Sequence, residues 1–474
     1  MNTHRPTAQL SLNDWTGMVL VGIVTIATIP FASNRPFFWA LWACIIGAWA
    51  AIYLLIHRAG SLQVPPGIRG PGVFWVLFCI AIALQLVPVG PLVGPVEFQS
   101  AARHTFHSSY PSLTPSATLL ALMRAVSYGL FLFLVVQVSR NGHRRRRILR
   151  AIFFIIGLHA LYGLLALTQF GDTILFLEKW SYEGSATGTF LNRNSFATFL
   201  AMGLVLGIGL LLSGISEAGT RSAAYRPSFD AGSLLVLAVF CLIAAALLAT
   251  QSRMGVFSAT CGVSFAGALG VRKLRAAGGS FMGLSLVFSV VGIAVLFAYG
   301  AGLFSRIGIA GESAAGRGAL YSQIFTMISA RPWTGFGGGS FELAYPLFHE
   351  LPVPTDMVWD KAHSTYLSLW AEYGIVAGSL PLVAFAAIAA YSFARAVSSK
   401  DNWLEPTVAT GVLIVAAVHS IVDFSLEIQA NTLLLLLLIG LAITPSRIRK
   451  EKETPRDRVH VKCAVDIVTT TMGD

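Results

Sequence analysis

His143-Arg144-Arg145-Arg146-Arg147 runs directly into Ile148-Leu149-Arg150-Ala151-Ile152-Phe153-Phe154-Ile155-Ile156-Gly157-Leu158-His159-Ala160-Leu161-Tyr162-Gly163-Leu164-Leu165-Ala166-Leu167-Thr168-Gln169-Phe170. A block of cations opens onto a stretch that is apolar almost throughout. A helix rises about 1.5 Å per residue, so about 20 apolar residues cross the roughly 30 Å hydrocarbon layer of a bilayer. The stretch therefore reads as a membrane span, and the basic run as the anchor that holds one of its ends in the cytoplasm. A specific lipid or nucleic-acid site in that run is the weaker alternative.

The same pattern recurs in both directions. Twelve spans are predicted, at 15–31, 37–56, 72–87, 117–138, 148–170, 188–212, 232–250, 254–270, 281–301, 365–393, 408–424 and 431–443. Several are short, and 254–270 and 431–443 are candidates for tilted or re-entrant segments. Nothing before Trp15 resembles a cleavable signal, so the first span is expected to remain as an anchor. Of 474 residues, 55% are hydrophobic and only 12% charged, against about 25% charged in soluble domains. Mean hydropathy is +0.70. Disorder, a coiled coil and an ordinary soluble enzyme are excluded, and the fold class is all-α, a polytopic helical membrane protein. The five cysteines lie in apolar runs or in the tail and define neither a disulfide framework nor a metal site.

The net charge of +11 follows the topology. With the N-terminus in the cytoplasm, 23 of the 33 lysines and arginines fall on the cytoplasmic side, as the positive-inside rule requires. An even number of spans places both termini there. No nucleic-acid partner is needed to explain the basic balance. Two outer segments are long: 88–116, which is proline-rich, and about 302–364, the largest stretch that is not apolar. A loop of that size is usually functional or has structure of its own. Residues 445–474 form a charged tail, and no internal repeat is evident.

Ionisable groups at a membrane face are costly and mark candidate functional sites. Here they collect on the outer side. Arg193 lies in Gly188-Thr189-Phe190-Leu191-Asn192-Arg193-Asn194, Arg253 in Gln251-Ser252-Arg253-Met254-Gly255, and Arg317 in Gly316-Arg317-Gly318. His363 opens the tenth span, and Glu372 follows it by about two and a half turns. Arginine forks match phosphate oxygens and stay charged in low dielectric. A neutral histidine accepts a proton from a hydroxyl. The set suits a lipid-linked pyrophosphate. Each residue also has a structural reading. Arg193 would snorkel to headgroups, His363 would bond backbone at a helix start, and Glu372 would pair with a neighbouring arginine. Asp423 and Glu427 read as structural caps, and His419 as an interhelical hydrogen-bonder. In Arg331-Pro332-Trp333-Thr334-Gly335-Phe336-Gly337-Gly338-Gly339 the N–H groups would cradle phosphate or simply form a flexible turn.

In this order the motifs resemble the O-antigen ligase and Wzy-type polymerase superfamily. Gly188 to Asn194 is similar to its Gly-Thr-Phe-x-Asn-x-Asn stretch, and Ser252-Arg253-Met254-Gly255 to its Ser-Arg-Gly-Gly turn. Gly316-Arg317 and the Pro332 to Phe341 pattern follow. Last come His363-Ser364-Thr365-Tyr366-Leu367 and Glu372-Tyr373-Gly374, similar to His-Asn-x-x-Leu…Glu-x-Gly. Met254, Ser364 and Ala377 depart from the commonest residues and remove no charged candidate. The likeness is clearest over 188–378. It divides the chain into 1–187, with five supporting spans, a ligase-like region 188–444, and the tail.

The resemblance implies a glycosyltransferase of the bacterial inner membrane with its active site on the periplasmic side, using no metal and no cofactor. The donor would be a glycan on undecaprenyl diphosphate, and the acceptor lipid A–core or a growing glycan. His363 would be catalytic and Arg193, Arg253 and Arg317 would bind the diphosphate, with Asn192, Asn194 and Glu372 in support. A secondary transporter of a small anion such as bicarbonate is the alternative. Transporters place charge near the midplane in repeated halves, and here the span centres are almost free of charge. A non-catalytic assembly scaffold would not need the His and Arg set.

Overall fold

The computed structural model describes residues 10–57, 62, 64–221, 231–276, 312–356, 358–399 and 402–444. The long helices are α1 Leu12–Thr28, α2 Pro36–Ile56, α3 Pro66–Leu84, α4 Pro115–Val138, α5 Gly142–Thr168, α6 Arg193–Arg221, α7 Ala231–Ala249, α8 Arg253–Ala276, α9 Glu312–Ala330, α10 Thr365–Ser398, α11 Leu404–His419 and α12 Gln429–Ile443. Eleven of the twelve predicted spans coincide with a helix. The twelfth, 281–301, and the tail lie outside the described residues. Among the described residues eight helices, α2 to α8 and α10, are long and apolar enough to cross a membrane. Helices α1, α11 and α12, with 17, 16 and 15 residues, are shorter. The segment predicted at 254–270 is neither short nor broken: α8 has 24 residues.

The core of the bundle is α6 and α12. Every residue of α12 is buried, including the run Leu433 to Leu438, and the apolar stretch of α6 is likewise enclosed. A helix that is hydrophobic all round belongs inside a bundle, so α12 is a central pillar. By contrast α7 leaves Leu234, Leu235 and Leu248 exposed to the surroundings. Lipid is as apolar as leucine, so close approach through small residues is what joins such helices. Helices α6, α8 and α11 meet in this way. A Cβ on Gly262 would stand 2.8 Å from the Gly411 carbonyl oxygen, and one on Gly411 would stand 2.6 Å from Val205 Cγ1.

The basic run packs against the bundle. Ser11 and Asp14 form a capping box at the start of α1, and Arg144 Nε donates to Asp14 Oδ1 at 2.8 Å, joining α1 to α5. Arg145 is 1% exposed. Its Nε donates to Glu405 Oε1 at 2.7 Å and its Nη1 to the Thr444 carbonyl at 3.0 Å, just past the end of α12. A cation at the carbonyl end of a helix suits the dipole there. One face of the helix start thus packs inward and ties α5, α11 and α12 together.

The two long segments expected on the outer side build one cap. The first carries an antiparallel hairpin, β1 Val96–Gln99 with β2 Thr105–Ser108, in register Val96↔Ser108. The second carries α9. Phe98 from the hairpin packs with Phe336 and Phe348 over a shared core that includes Leu320, Ile324 and Tyr345. Arg331 lies 4.2 Å from the Phe98 ring centre and donates to the Glu97 carbonyl at 2.9 Å.

The glycine run is part of this cap. Helix α10 is kinked at Gly374, where φ is 76°, and the turn 331–339 fits into the kink. Gly335 has φ 62°, and a Cβ there would meet the Glu372 carbonyl at 2.4 Å. The N–H groups of Gly335, Phe336, Gly337 and Gly338 bond to Arg331 O, Ala371 O, Glu372 O and Gln85 Oε1 respectively. The turn is therefore rigid, and these N–H groups are occupied. This replaces both the phosphate cradle and the flexible turn.

Candidate functional site

The candidate site is at the end of the bundle where α6, α8 and α10 begin and α11 ends. Asn192 caps α6: its Oδ1 accepts from the N–H groups of Asn194 at 2.7 Å and Ser195 at 3.4 Å. Its Nδ2 donates to Tyr182 Oη at 3.3 Å. Asn194 is a bridge. Its Nδ2 donates to Asp423 Oδ1 at 3.3 Å and its Oδ1 accepts from Ser252 Oγ at 2.8 Å. The start of α6, the turn before α8 and the turn after α11 are locked together through that one amide. The asparagines are the frame of the site.

Arg193 folds inward. Its Nη1 donates to Ser185 Oγ at 3.2 Å, its guanidinium lies 5.5 Å from the Tyr182 ring centre, and its buried Nε has no partner. Ser185 is held in turn by a pinned hairpin, β3 Thr173–Ile174 with β4 Leu177–Glu178. Lys179 pairs with Asp172 and donates to the Ser185 carbonyl at 2.7 Å. The same segment is stitched to the turn before α8, since Gln251 Nε2 donates to Gly184 O at 2.9 Å and Ala186 N to Ala249 O at 2.8 Å. Arg253 starts α8 one residue beyond buried Ser252, with its side chain exposed.

His363 precedes α10 in a left-handed backbone conformation, φ 48°. Tyr321 on α9 donates its hydroxyl to the His363 carbonyl at 2.9 Å. The imidazole lies edge-on to Trp359 and Phe424, with centroids 5.7 and 5.2 Å away. Its buried Nδ1 has no hydrogen-bond partner. Burial lowers its pKa from the ordinary value of 6.5. Asp423 and Asp360 push back upward, and Arg317 pushes down. The imidazole is neutral at pH 7, with a lone pair available.

Arg317 and Asp423 also act on two tyrosines. Burial raises the Tyr182 hydroxyl, with Asp423 and Asp360 adding to the rise and Arg193 and Arg317 opposing it. Burial pushes Tyr321 up to about 12, with Arg317 lowering and Asp423 raising it. Both phenols stay protonated donors. Arg317 and Asp423 therefore act on Tyr182, Tyr321 and His363 alike, and Asp360 on Tyr182 and His363. Arg317 acts electrostatically on His363, Arg193 lies against Tyr182, which also feels Arg317, and Arg253 is joined to the start of α6 through the Ser252–Asn194 link.

Glu372 does not join this group. It accepts from the Phe341 N–H at 3.3 Å, at the kink, roughly 13 Å along the helix from His363. No arginine pairs with its side chain among the described residues. His419 is hydrogen-bonded to Thr198 between helices. Asp423 is 1% exposed and bonds Asn194 and Ser425, so the cap it forms also faces the site. Tyr182 and Tyr321 were not singled out from sequence. No spacing rule marks them, because each arrives from a different segment.

A helical membrane bundle with arginines and a neutral histidine gathered at one end is the class that fold and site define. Residues 237–382 match the family model described as O-antigen ligase. That match supports the resemblance of this region to the O-antigen ligase and Wzy-type superfamily of polysaccharide synthesis. The match runs from α7 into α10 and contains Arg253, Arg317, His363 and Glu372. Arg193, Asn192, Asn194 and Asp423 lie outside it. No curated protein matches the chain.

Proposed function

We propose that the chain is a glycosyltransferase of the bacterial cytoplasmic membrane. It takes a glycan from undecaprenyl diphosphate at the periplasmic face and passes it, without a metal ion, to a hydroxyl of lipid A–core or of a growing glycan. Residues 188–444 would carry the reaction and the helices of 1–187 would support it, with both termini in the cytoplasm. The reading rests on buried, neutral His363, which feels Arg317 and Asp423, and on Arg193 lying against Tyr182, a side chain that feels the same two groups. In the transfer, the acceptor oxygen bonds to sugar C1 as its proton passes to His363. The C1–O bond to the diphosphate breaks, and the departing oxygen keeps the electron pair. Arg193, Arg317 and exposed Arg253 stabilise that growing charge, the kind of interaction worth most in a transition state.

The test is deletion of the gene followed by gel analysis of envelope glycans. Long chains lost from lipid A and kept on the carrier identify a ligase, and accumulation of single repeats identifies a polymerase. His363→Ala and Arg253→Ala should each reproduce the deletion with normal protein levels in the membrane. Full-length surface polysaccharide in either variant overturns the assignment. So does uptake of a small anion by proteoliposomes that the same substitutions block.

A further inference from the structure

A cavity of about 510 Å³ lies between α3, α4, α10 and α12, far from the candidate site. Its walls include Ile68 and Val76 of α3, Leu132 and Phe133 of α4, Phe385 of α10 and Leu436 of α12. Arg69 stands at one end of it. The other end of α3 points to the His363 face, where Gln85 Nε2 donates to the Thr334 and Glu372 carbonyls at 2.8 and 2.9 Å. The cavity therefore belongs to the opposite half of the bilayer.

Its shape is fixed in advance. Trp75 on the rim donates Nε1 to the Ala125 carbonyl at 2.9 Å, and Gly129 puts no side chain into the space beneath it. Val73, Val76 and Leu77 are exposed along the opening. From Arg69 to Leu77 helix α3 rises about 12 Å, and from Gln137 back to Tyr128 helix α4 rises about 14 Å. One leaflet's share of the hydrocarbon layer is about 15 Å deep. The groove thus has the length of one leaflet, with a cation at the headgroup end. Among the described residues Arg69 uses only Nε, donating to the Val64 carbonyl at 3.3 Å, and its two terminal nitrogens suit a bidentate bond to a phosphate.

We infer that this groove binds one acyl chain of an anionic phospholipid of the leaflet opposite the candidate site, with the phosphate on Arg69. The recess separates this lipid from the bulk bilayer, and the arginine separates an anionic from a zwitterionic headgroup. The test uses the full chain in detergent, titrated with phosphatidylglycerol or phosphatidylcholine and read by native mass spectrometry. Wild type should keep one phosphatidylglycerol, with about fivefold preference over phosphatidylcholine, the factor that one basic residue near an anionic headgroup contributes. Arg69→Gln should abolish the preference and leave the acyl chain bound. Val76→Trp, at an exposed rim position, should fill the groove and lose both lipids. Undiminished preference in Arg69→Gln, no retained lipid in wild type, or a dimer whose interface covers the groove overturns the inference. So does displacement of the bound lipid by a polyprenyl phosphate.

Discussion

Tyr321→Phe removes one oxygen and leaves the ring in place. In the folded chain that hydroxyl donates to the His363 carbonyl at 2.9 Å, and His363 holds φ at 48°. A non-glycine residue in this region costs on the order of 1–3 kcal/mol and persists only where its surroundings enforce it. A neutral hydrogen bond contributes about 1 kcal/mol net. Losing it lets the residue relax toward ordinary φ, and the competent orientation of the imidazole becomes less populated. About 1 kcal/mol corresponds to roughly a fivefold drop in turnover. The assay is transfer of glycan from a lipid-linked donor by purified protein, with kcat and KM measured separately across pH. The drop should appear in kcat, KM should stay near wild type, and the acidic limb of the profile should not move, because the imidazole keeps its charged neighbours. A rate within twofold of wild type, or a change confined to KM, would falsify the positioning role of α9.

The remaining predictions concern protonation and packing. With its pKa held below 6.5, His363 as a base keeps kcat/KM flat above that pH and lets it fall only below it; a midpoint at or above 6.5 contradicts the geometry. The folded chain also binds this proton more weakly than the unfolded chain, so acidification below about 6.5 lowers stability at this group. Arg145→Ala or Glu405→Ala breaks a buried ion pair and should cost about 3–5 kcal/mol in chemical unfolding. Replacing both by methionine should recover most of that loss, and a double variant as unstable as the singles would count against the pair. Gly335→Ala forces a Cβ onto the Glu372 backbone at positive φ and should cost roughly 2–5 kcal/mol. Gly318→Ala, with open space around it, should be neutral or stabilising by up to about 1 kcal/mol; equal melting temperatures for the two would refute the packing of the turn.

The periodic signal of the chain survived folding well. Eleven predicted spans became helices because a bilayer demands that every backbone group be bonded within its own segment, and that demand is written as apolar length. Arg193, Arg317 and His363 stood out in the sequence because charge at a membrane face is costly. The roles of Asn192 and Asn194 did not, since an asparagine at a helix start reads the same whether it caps, bridges or binds. Gly335 to Gly339 misled for a related reason. Glycine allows both an open anion cradle and a tight fit, and only the kink at Gly374 selects the second.

The sequence by itself determined the fold class and eleven apolar segments that became helices, since each depends on length and composition along one stretch of chain. Tertiary structure alone decided what faces what. The leucines of α12 became the centre of the bundle while those of α7 faced outward, a distinction that hydropathy cannot make because lipid and protein interior are equally apolar. Arg145 turned inward to Glu405 while its neighbour Arg144 took Asp14. Tyr321 and Asp423, from two distant segments, came to act on His363 because α10 begins where α11 ends. Convergence in space depends on helix packing, and packing is a property of pairs of segments that no single stretch contains.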